Sequence, residues 1–184
     1  ALVGTKFGRH IHDYANGIET TPLRAEAEDA KGYSNSTTLA EDVVTAEQAH
    51  RILLALADSV AARMRADGAK AYCIAVTIRG NDFKDRSHQR QLAEPTDITA
   101  EIFDWSKKLF AELWDRRTPL RLLGVALTDL CRDDCIQQSF LPNPGRDREK
   151  QLDKTIDTIR GKYGADTIGR GATLQAGATV GRKY

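Results

Sequence analysis

The residues best suited to hold a charged ligand stand between positions 79 and 90. Lys84, Arg86, His88 and Arg90 recur at every second position, and Arg79 precedes them across Gly80-Asn81-Asp82. On an extended strand that spacing gathers the four side chains on one face. Gly-Asn-Asp reads as the turn of a hairpin. A second set follows Lys31: Ser34, Asn35, Ser36, Thr37 and Thr38 offer hydroxyl, amide and backbone donors of the kind that contact phosphate oxygens. A cationic stripe on an edge strand also has a plain use, which is to prevent edge-to-edge aggregation. Arg79, the hydroxyl-rich segment and the acidic segments nearby favour the other use, contact with the backbone of a polyanion. No aromatic residues alternate with the cations, so the pattern suits phosphate contact better than base stacking.

Catalytic chemistry finds no comparable signature. The sequence has no G-x-S-x-G, no P-loop, no H-E-x-x-H and no G-x-G-x-x-G. His10 and His12 are two residues apart, so on a helix they diverge and read as solvent-exposed. Asp133-Asp134 reads as a solvated acidic turn. Cys73, Cys131 and Cys135 are few and odd in number, which argues against a disulfide framework and for a reduced cytosolic setting. Cys131 and Cys135 lack the four spaced ligands of a structural zinc site. No catalytic residue and no metal ligand is assigned to this chain.

Composition agrees with a folded domain rather than a tail or a membrane span. The chain has 184 residues, 41% apolar and 29% charged, with a formal net charge of +1. That length can bury a real core. No apolar run approaches the roughly 20 residues needed to cross a bilayer, and without a basic stretch followed by an apolar one at the start, no signal peptide is expected. The near-neutral total hides a split. Residues 68–92 carry five bases against two acids, residues 41–67 five acids against three bases, and residues 94–117 six acids against four bases. A basic face can meet a polyanion while acidic faces keep the protein soluble and oriented.

The elements that must position these residues follow from periodicity. Residues 4–17 read as a short helix with Phe7, Ile11 and Tyr14 at helical spacing. Residues 18–30 read as a linker and 31–40 as a polar strand or extended loop. Thr45 with Gln48 forms a capping-box pattern ahead of the stripe Ala49, Ile52, Leu53, Leu56, Val60 and Met64, and Gly68 ends that helix. Residues 70–79 alternate as a strand, with Tyr72, Ile74, Val76 and Ile78 opposite Cys73, Ala75, Thr77 and Arg79, and 83–92 form the return strand. Thr99 is placed to cap a helix whose apolar face is Ile102, Phe103, Leu109, Phe110 and Leu113. Residues 119–130 make a last buried strand. Residues 131–147 look irregular, and a final helix over about 148–163 has the stripe Leu152, Ile156, Ile159 and Tyr163. The order strand, helix, strand, strand, helix, strand is the split βαβ pattern of the α+β class. It gives a four-stranded antiparallel sheet with two helices on one face, plus flanking N- and C-terminal helices. The open face must then meet water or a partner.

The blocks KGYSNSTTL, IRGNDFK, RQLAEPTD and LRLLGVALTDL, in this order over residues 31–130, resemble the "little finger" domain of Y-family translesion DNA polymerases of the DNA polymerase IV type. QLDKTIDTIRGKYGADTIGRG resembles the family's C-terminal helix, and GTKFGRHIHDYANGIET the last helix of its thumb domain. The resemblance implies a thumb remnant over 1–22, a linker over 23–30, the little finger over 31–130, a loop over 131–147, and a C-terminal helix and tail over 148–184.

The resemblance also implies a role. The domain grips the backbone of the primer-template duplex in the major groove during lesion bypass and DNA repair, in the bacterial cytoplasm and without a membrane. Lys31, Ser36 and Thr38 fall on the first-strand phosphate-contacting motif, and Arg90 on the third-strand basic position. His88 stands where an arginine is more usual, and Gly32 and Ser34 exchange the family's serine and glycine. Gln137, Gln138, Ser139, Phe140 and Leu141 stand where the family carries its sliding-clamp-binding peptide, with Gln138 departing from the usual aliphatic residue. A Gln and two apolar anchors can fill a groove; Phe140 and Leu141 could also pack on the domain's own core. The full-length protein would be a DNA-directed DNA polymerase, a nucleotidyltransferase that needs Mg2+ held by carboxylates of a palm domain preceding residue 1. This chain itself needs no cofactor on that reading. An RNA-binding module on the same fold would need stacking aromatics, for which Tyr72 and Phe83 are the candidates. A small-molecule regulatory module would need a closed pocket.

Overall fold

A computed structural model describes residues 4–19, 29–132 and 144–174. In chain order the elements are α1 (Thr5–Ala15), β1 (Gly32–Val43), α2 (Ala46–Ala66), β2 (Ala69–Gly80), β3 (Asp85–Thr96), α3 (Thr99–Leu113), β4 (Leu120–Arg132), α4 (Pro144–Tyr163) and α5 (Gly171–Leu174). The four strands form one sheet in the order β1-β4-β2-β3, antiparallel at every pairing. This is the expected α+β architecture.

The alternation of β2 decides where the core lies. Ile74, Val76 and Ile78 pair across the ladder with Leu127, Val125 and Leu123 of β4. All six are buried against Leu53, Leu56, Val60 and Met64 of α2 and Ile102, Leu109 and Phe110 of α3. Burying each such side chain contributes about 1.5–3 kcal/mol, so the two inner strands and the two helices form the stable centre. α2 starts as its sequence requires. The Gln48 amide donates to Thr45 Oγ1 at 3.3 Å, and the Thr45 amide donates back to Gln48 Oε1 at 3.2 Å.

Two expectations about helices need correction. Thr99 does not cap α3 but is its first helical residue. Its amide donates instead to Asp153 Oδ2 on α4, 2.7 Å away, so a carboxylate from 54 residues downstream meets the positive end of α3. The second correction concerns α4 itself. It begins at Pro144, inside the stretch that reads as irregular, with proline in the first turn where it costs no hydrogen bond. Of its expected apolar stripe only Ile156 is buried, while Leu152 and Tyr163 are exposed. The helix docks through ions. Arg65 of α2 donates to Asp157 Oδ2 at 2.6 Å and lies 3.4 Å from Asp153, Arg160 reaches Asp58 at 2.7 Å, and Arg170 reaches Asp153 at 2.6 Å. Buried Asp153 accepts from the Thr99 amide, Arg65 and Arg170, the condition under which a buried charge is tolerated, while buried Asp58 accepts from Arg160 and has Arg170 3.6 Å from its other oxygen. In α1 no residue is buried, and Phe7, Ile11 and Tyr14 stay exposed.

Candidate nucleic-acid interface

The register of the sheet sorts the candidate residues by face. On β1, Ser34 pairs with Ala126, Ser36 with Gly124 and Thr38 with Leu122. On β2, Cys73, Ala75, Thr77 and Arg79 pair with Thr128, Ala126, Gly124 and Leu122. These residues and the β3 partners of β2, Gln91, Gln89, Ser87 and Asp85, share the face away from α2 and α3. The open face is therefore made largely of hydroxyl- and amide-bearing side chains with alanines, Cys73 and Gly124 between them, and Leu122 and the Arg79–Asp85 pair towards one end. A Cβ at Gly124 would lie 3.1 Å from the Ser36 Cβ, so only glycine lets β1 settle there without displacement. Short side chains bring the sheet close to whatever lies on it.

Ser34, Ser36 and Thr38 stand on this face, as the sequence implied, and all three are exposed. Asn35 and Thr37 do not. They face the helices with Tyr33, where Asn35 Nδ2 donates to Ser59 Oγ of α2 at 3.3 Å. Tyr33 anchors the same strand by donating its hydroxyl to Asp67; burial and that hydrogen bond push its pKa up to about 12, so it stays neutral.

The larger correction concerns the basic stripe. Arg86 pairs with Ile78, His88 with Val76 and Arg90 with Ile74, all core residues of β2. The stripe thus lies on the helix side of β3 and overhangs the edge of α3. Arg86 stands 3.8 Å from Asp115, His88 3.5 Å from Glu112, and the Arg90 guanidinium 5.7 Å from the Trp105 ring centroid. The physical reason is that the hairpin pairs even-numbered residues of β2 with even-numbered residues of β3. An apolar set at 74, 76 and 78 therefore takes 86, 88 and 90 to its own side.

Cations remain close to the open face, at its margins. Arg79 lies on it, held by Asp85 through a bidentate pair with one contact at 2.8 Å. That hydrogen bonding holds the Asp85 carboxyl below the usual carboxylate range. Arg63 of α2 donates to the carbonyl of Ser34 at 2.6 Å. Lys31 precedes β1, and Lys84 sits in the hairpin turn 3.7 Å from Asp82. Arg86, His88 and Arg90 run along the outer edge of β3, all exposed. The arrangement is a neutral, hydrogen-bonding centre with a cationic border. Sequence reasoning missed Thr77, Ser87, Gln89, Gln91 and Thr128 on the open face. The parity of the hairpin pairing was the signal that would have found the β3 residues. Gln137 to Leu141 lie outside the described residues.

A concavity of about 500 Å³ lies among α2, α3 and the segment after α3, lined by His50, Lys107, Phe110 and Trp114. Among the described residues no group of three or more His, Cys, Asp or Glu side chains is placed to hold a metal ion. No described helix is long and apolar enough to cross a membrane.

Comparison with known proteins adds to this geometry. Residues 30–140 match the model of the impB/mucB/samB family C-terminal domain. A protein named DNA polymerase IV from Clostridium acetobutylicum is 38% identical over 179 residues, covering 95% of this chain and 44% of that protein. DNA polymerase IV 2 of Halalkalibacterium halodurans is 34% identical, covering 87% of this chain and 39% of that protein. The chain thus spans less than half the length of these relatives. Among solved structures, a post-insertion binary complex of Dbh DNA polymerase aligns with a TM-score of 0.51 at 14% identity, over 71% of this chain and 37% of that one. An insertion ternary complex of the same polymerase gives 0.50. At that identity the likeness speaks for the fold.

Proposed function

This chain belongs to the family of impB/mucB/samB C-terminal domains, and on that premise we propose that it is the DNA-gripping part of an error-prone, translesion DNA polymerase. The open face carries the reading. It offers Ser34, Ser36, Thr38, Thr77, Ser87, Gln89, Gln91 and Thr128 as hydrogen-bonding groups on a surface of short side chains. Phosphate and sugar contacts of that kind fix position on a duplex without reading sequence. The border supplies charge. Lys31, Arg63, Lys84, Arg86 and Arg90 border the sheet and on this reading would meet the backbones of a duplex laid on it, each phosphate neutralised releasing counterions. Arg79 joins them by exchanging Asp85 for a phosphate.

The chemistry of polymerisation is assigned to the rest of the parent protein. Nothing among the described residues fits the Mg2+ that such chemistry uses. Residues 1–22 would then be the end of the thumb, 23–30 the tether and 31–130 the gripping domain. The work would take place in the bacterial cytoplasm, where the chromosome is.

Titration of a labelled duplex with the 184-residue chain tests the grip. Binding should tolerate any sequence and weaken steeply with salt. Lys84→Glu with Arg90→Glu should lower affinity at least tenfold and flatten the slope of log K against log salt by about two. Unchanged affinity in that pair would refute the reading. The segment Gln137-Gln138-Ser139-Phe140-Leu141 is proposed as a contact for a sliding clamp, because a Gln and two bulky apolar residues suit an apolar groove. Phe140→Ala with Leu141→Ala should abolish co-elution with a bacterial clamp; retention of co-elution would remove that partner.

A further inference from the structure

The turn between β2 and β3 presents an aromatic ring to solvent on a strained and well-held backbone. Phe83 has φ of 60°, a left-handed conformation that a bulky residue rarely adopts, and it is 68% exposed. Packing cannot account for that placement, since the core gains nothing from the ring. The turn is nonetheless rigidly built. The Phe83 amide donates to the Gly80 carbonyl at 3.0 Å, the Lys84 amide to Asp82 Oδ1 at 3.2 Å, and the Asn81 amide to the Pro119 carbonyl at 2.9 Å. The last of these ties the turn to the segment between α3 and β4. That segment is itself pinned by Asp115, whose carboxylate accepts from the amides of Arg117 and Thr118, both at 2.9 Å. Arg116 within it has φ of 59°, so two of the three described non-glycine residues with positive φ stand at one end of the sheet. Backbone strain of this kind persists where surrounding structure enforces it, and it clusters at functional sites.

Charge surrounds the ring. The Arg121 guanidinium lies over Phe83, 5.5 Å from the ring centroid. Lys84 is the next residue, and Arg116 and Arg117 belong to the adjoining segment. An exposed aromatic face beside several cations is what holds single-stranded nucleic acid: every base has a π-face to stack, and the cations follow its phosphates. The strands β1 to β4 carry no comparable exposed aromatic on the open face, so this chemistry is confined to the end of the sheet.

We propose that Phe83 and Arg121 form a stacking site for an unpaired nucleobase of single-stranded DNA, next to the end of the duplex that the sheet grips. Arg121 covers one side of the ring and the base takes the other. The site rests on the duplex-gripping reading for its geometry, but it has a separate readout.

The test compares a blunt duplex with the same duplex carrying a 5′ single-stranded extension, 2-aminopurine being placed at successive positions of the extension. With the unaltered chain the extension should tighten binding at least about fivefold, the gain expected of one stacked base, and quench 2-aminopurine at one or two positions only. Phe83→Ala and Phe83→Leu should both erase the gain and the quenching, leaving blunt-duplex affinity and the thermal midpoint unchanged. Phe83→Trp should restore both. No gain from the extension, or full gain in Phe83→Leu, overturns the site while leaving the duplex grip intact. Equal loss on blunt and extended DNA in Phe83→Ala overturns it as well. Failure of the blunt duplex to bind, with a Phe83-dependent response to the extension, would instead sink the duplex reading and keep the stacking site.

Discussion

On the helix side of the sheet, charged groups are matched. Arg86 stands near Asp115 and His88 near Glu112, while Arg65, Arg160 and Arg170 meet Asp58, Asp153 and Asp157 where α4 docks. On the open side, Ser34, Ser36, Thr38, Ser87, Gln89 and Gln91 are short or neutral, and the charges Arg79 and Asp85 pair with each other. Both faces are polar in places, yet the polarity serves different ends. The helix side spends its charges on holding elements together. The open side presents exposed hydroxyls and amides, Gln91 among them already donating to Asp129. Substitutions among the charges that dock α4 should therefore move stability, and those on the open face and its cationic border DNA affinity.

The strongest way to break that contrast is at Asp153. The residue is 1% exposed, accepts the amide that opens α3, and meets both Arg65 and Arg170. Asp153→Ala leaves two arginines beside an uncompensated site, which for a broken buried pair costs about 3–5 kcal/mol. Urea denaturation should show a midpoint far below that of the unaltered chain. Duplex affinity measured well under that midpoint should not change. A cost below about 1 kcal/mol would mean that α4 is held by something other than its ions.

Ser36→Glu is the mirror experiment. Ser36 is exposed in the middle of an edge strand, opposite Gly124, so a longer side chain points outward and disturbs no packing. A carboxylate there would face the phosphates of any duplex on the sheet, and like charges juxtaposed at an interface cost several kcal/mol. Affinity should fall about tenfold or more, with the thermal midpoint within a few degrees of the original. Duplex binding at full strength would show that the open face is not where DNA lies.

These two residues also show what could be read from the chain. The elements were legible because their signals are local: the capping box at Thr45, the alternation of β2, the stripe of α2, the Gly68 stop. Ser34, Ser36 and Thr38 were legible for the same reason, since alternation alone places them together. Arg86, His88 and Arg90 were grouped correctly but given the wrong side. Alternation says which residues share a face; only pairing with β2 says which face it is, and one residue of slip would reverse the answer. Asp153 was missed for a different reason. Its partners Arg65, Thr99 and Arg170 are distant in sequence, and an aspartate in a polar helix looks like solvated surface until the docking is known. Asn35 and Thr37 follow from alternation once Tyr33 is seen to be a core residue.

Asp115 gives the smallest effect and sharpens the boundary between the two faces, because it serves both the segment before β4 and the edge cation Arg86. Hydrogen bonds from the backbone of Thr118 and Arg117 and from the Thr118 hydroxyl hold its carboxyl down to about 2, from an ordinary value of 3.8. The folded pKa lies below the unfolded one, so the ionised group contributes stability that is complete above about 3.8 and disappears as pH falls through 2. Asp115→Asn keeps an acceptor but loses the charge and its attraction for Arg86. At pH 5 the variant should unfold at slightly lower urea than the unaltered chain. The two denaturation curves should begin to draw together as pH falls below about 3.8 and should meet only near 2, where protonation turns the carboxylate into the same neutral acceptor. A gap that stays constant or widens on acidification would assign the difference to packing rather than to charge. The helix side would then be less electrostatic in its organisation than the matched pairs along β3 imply.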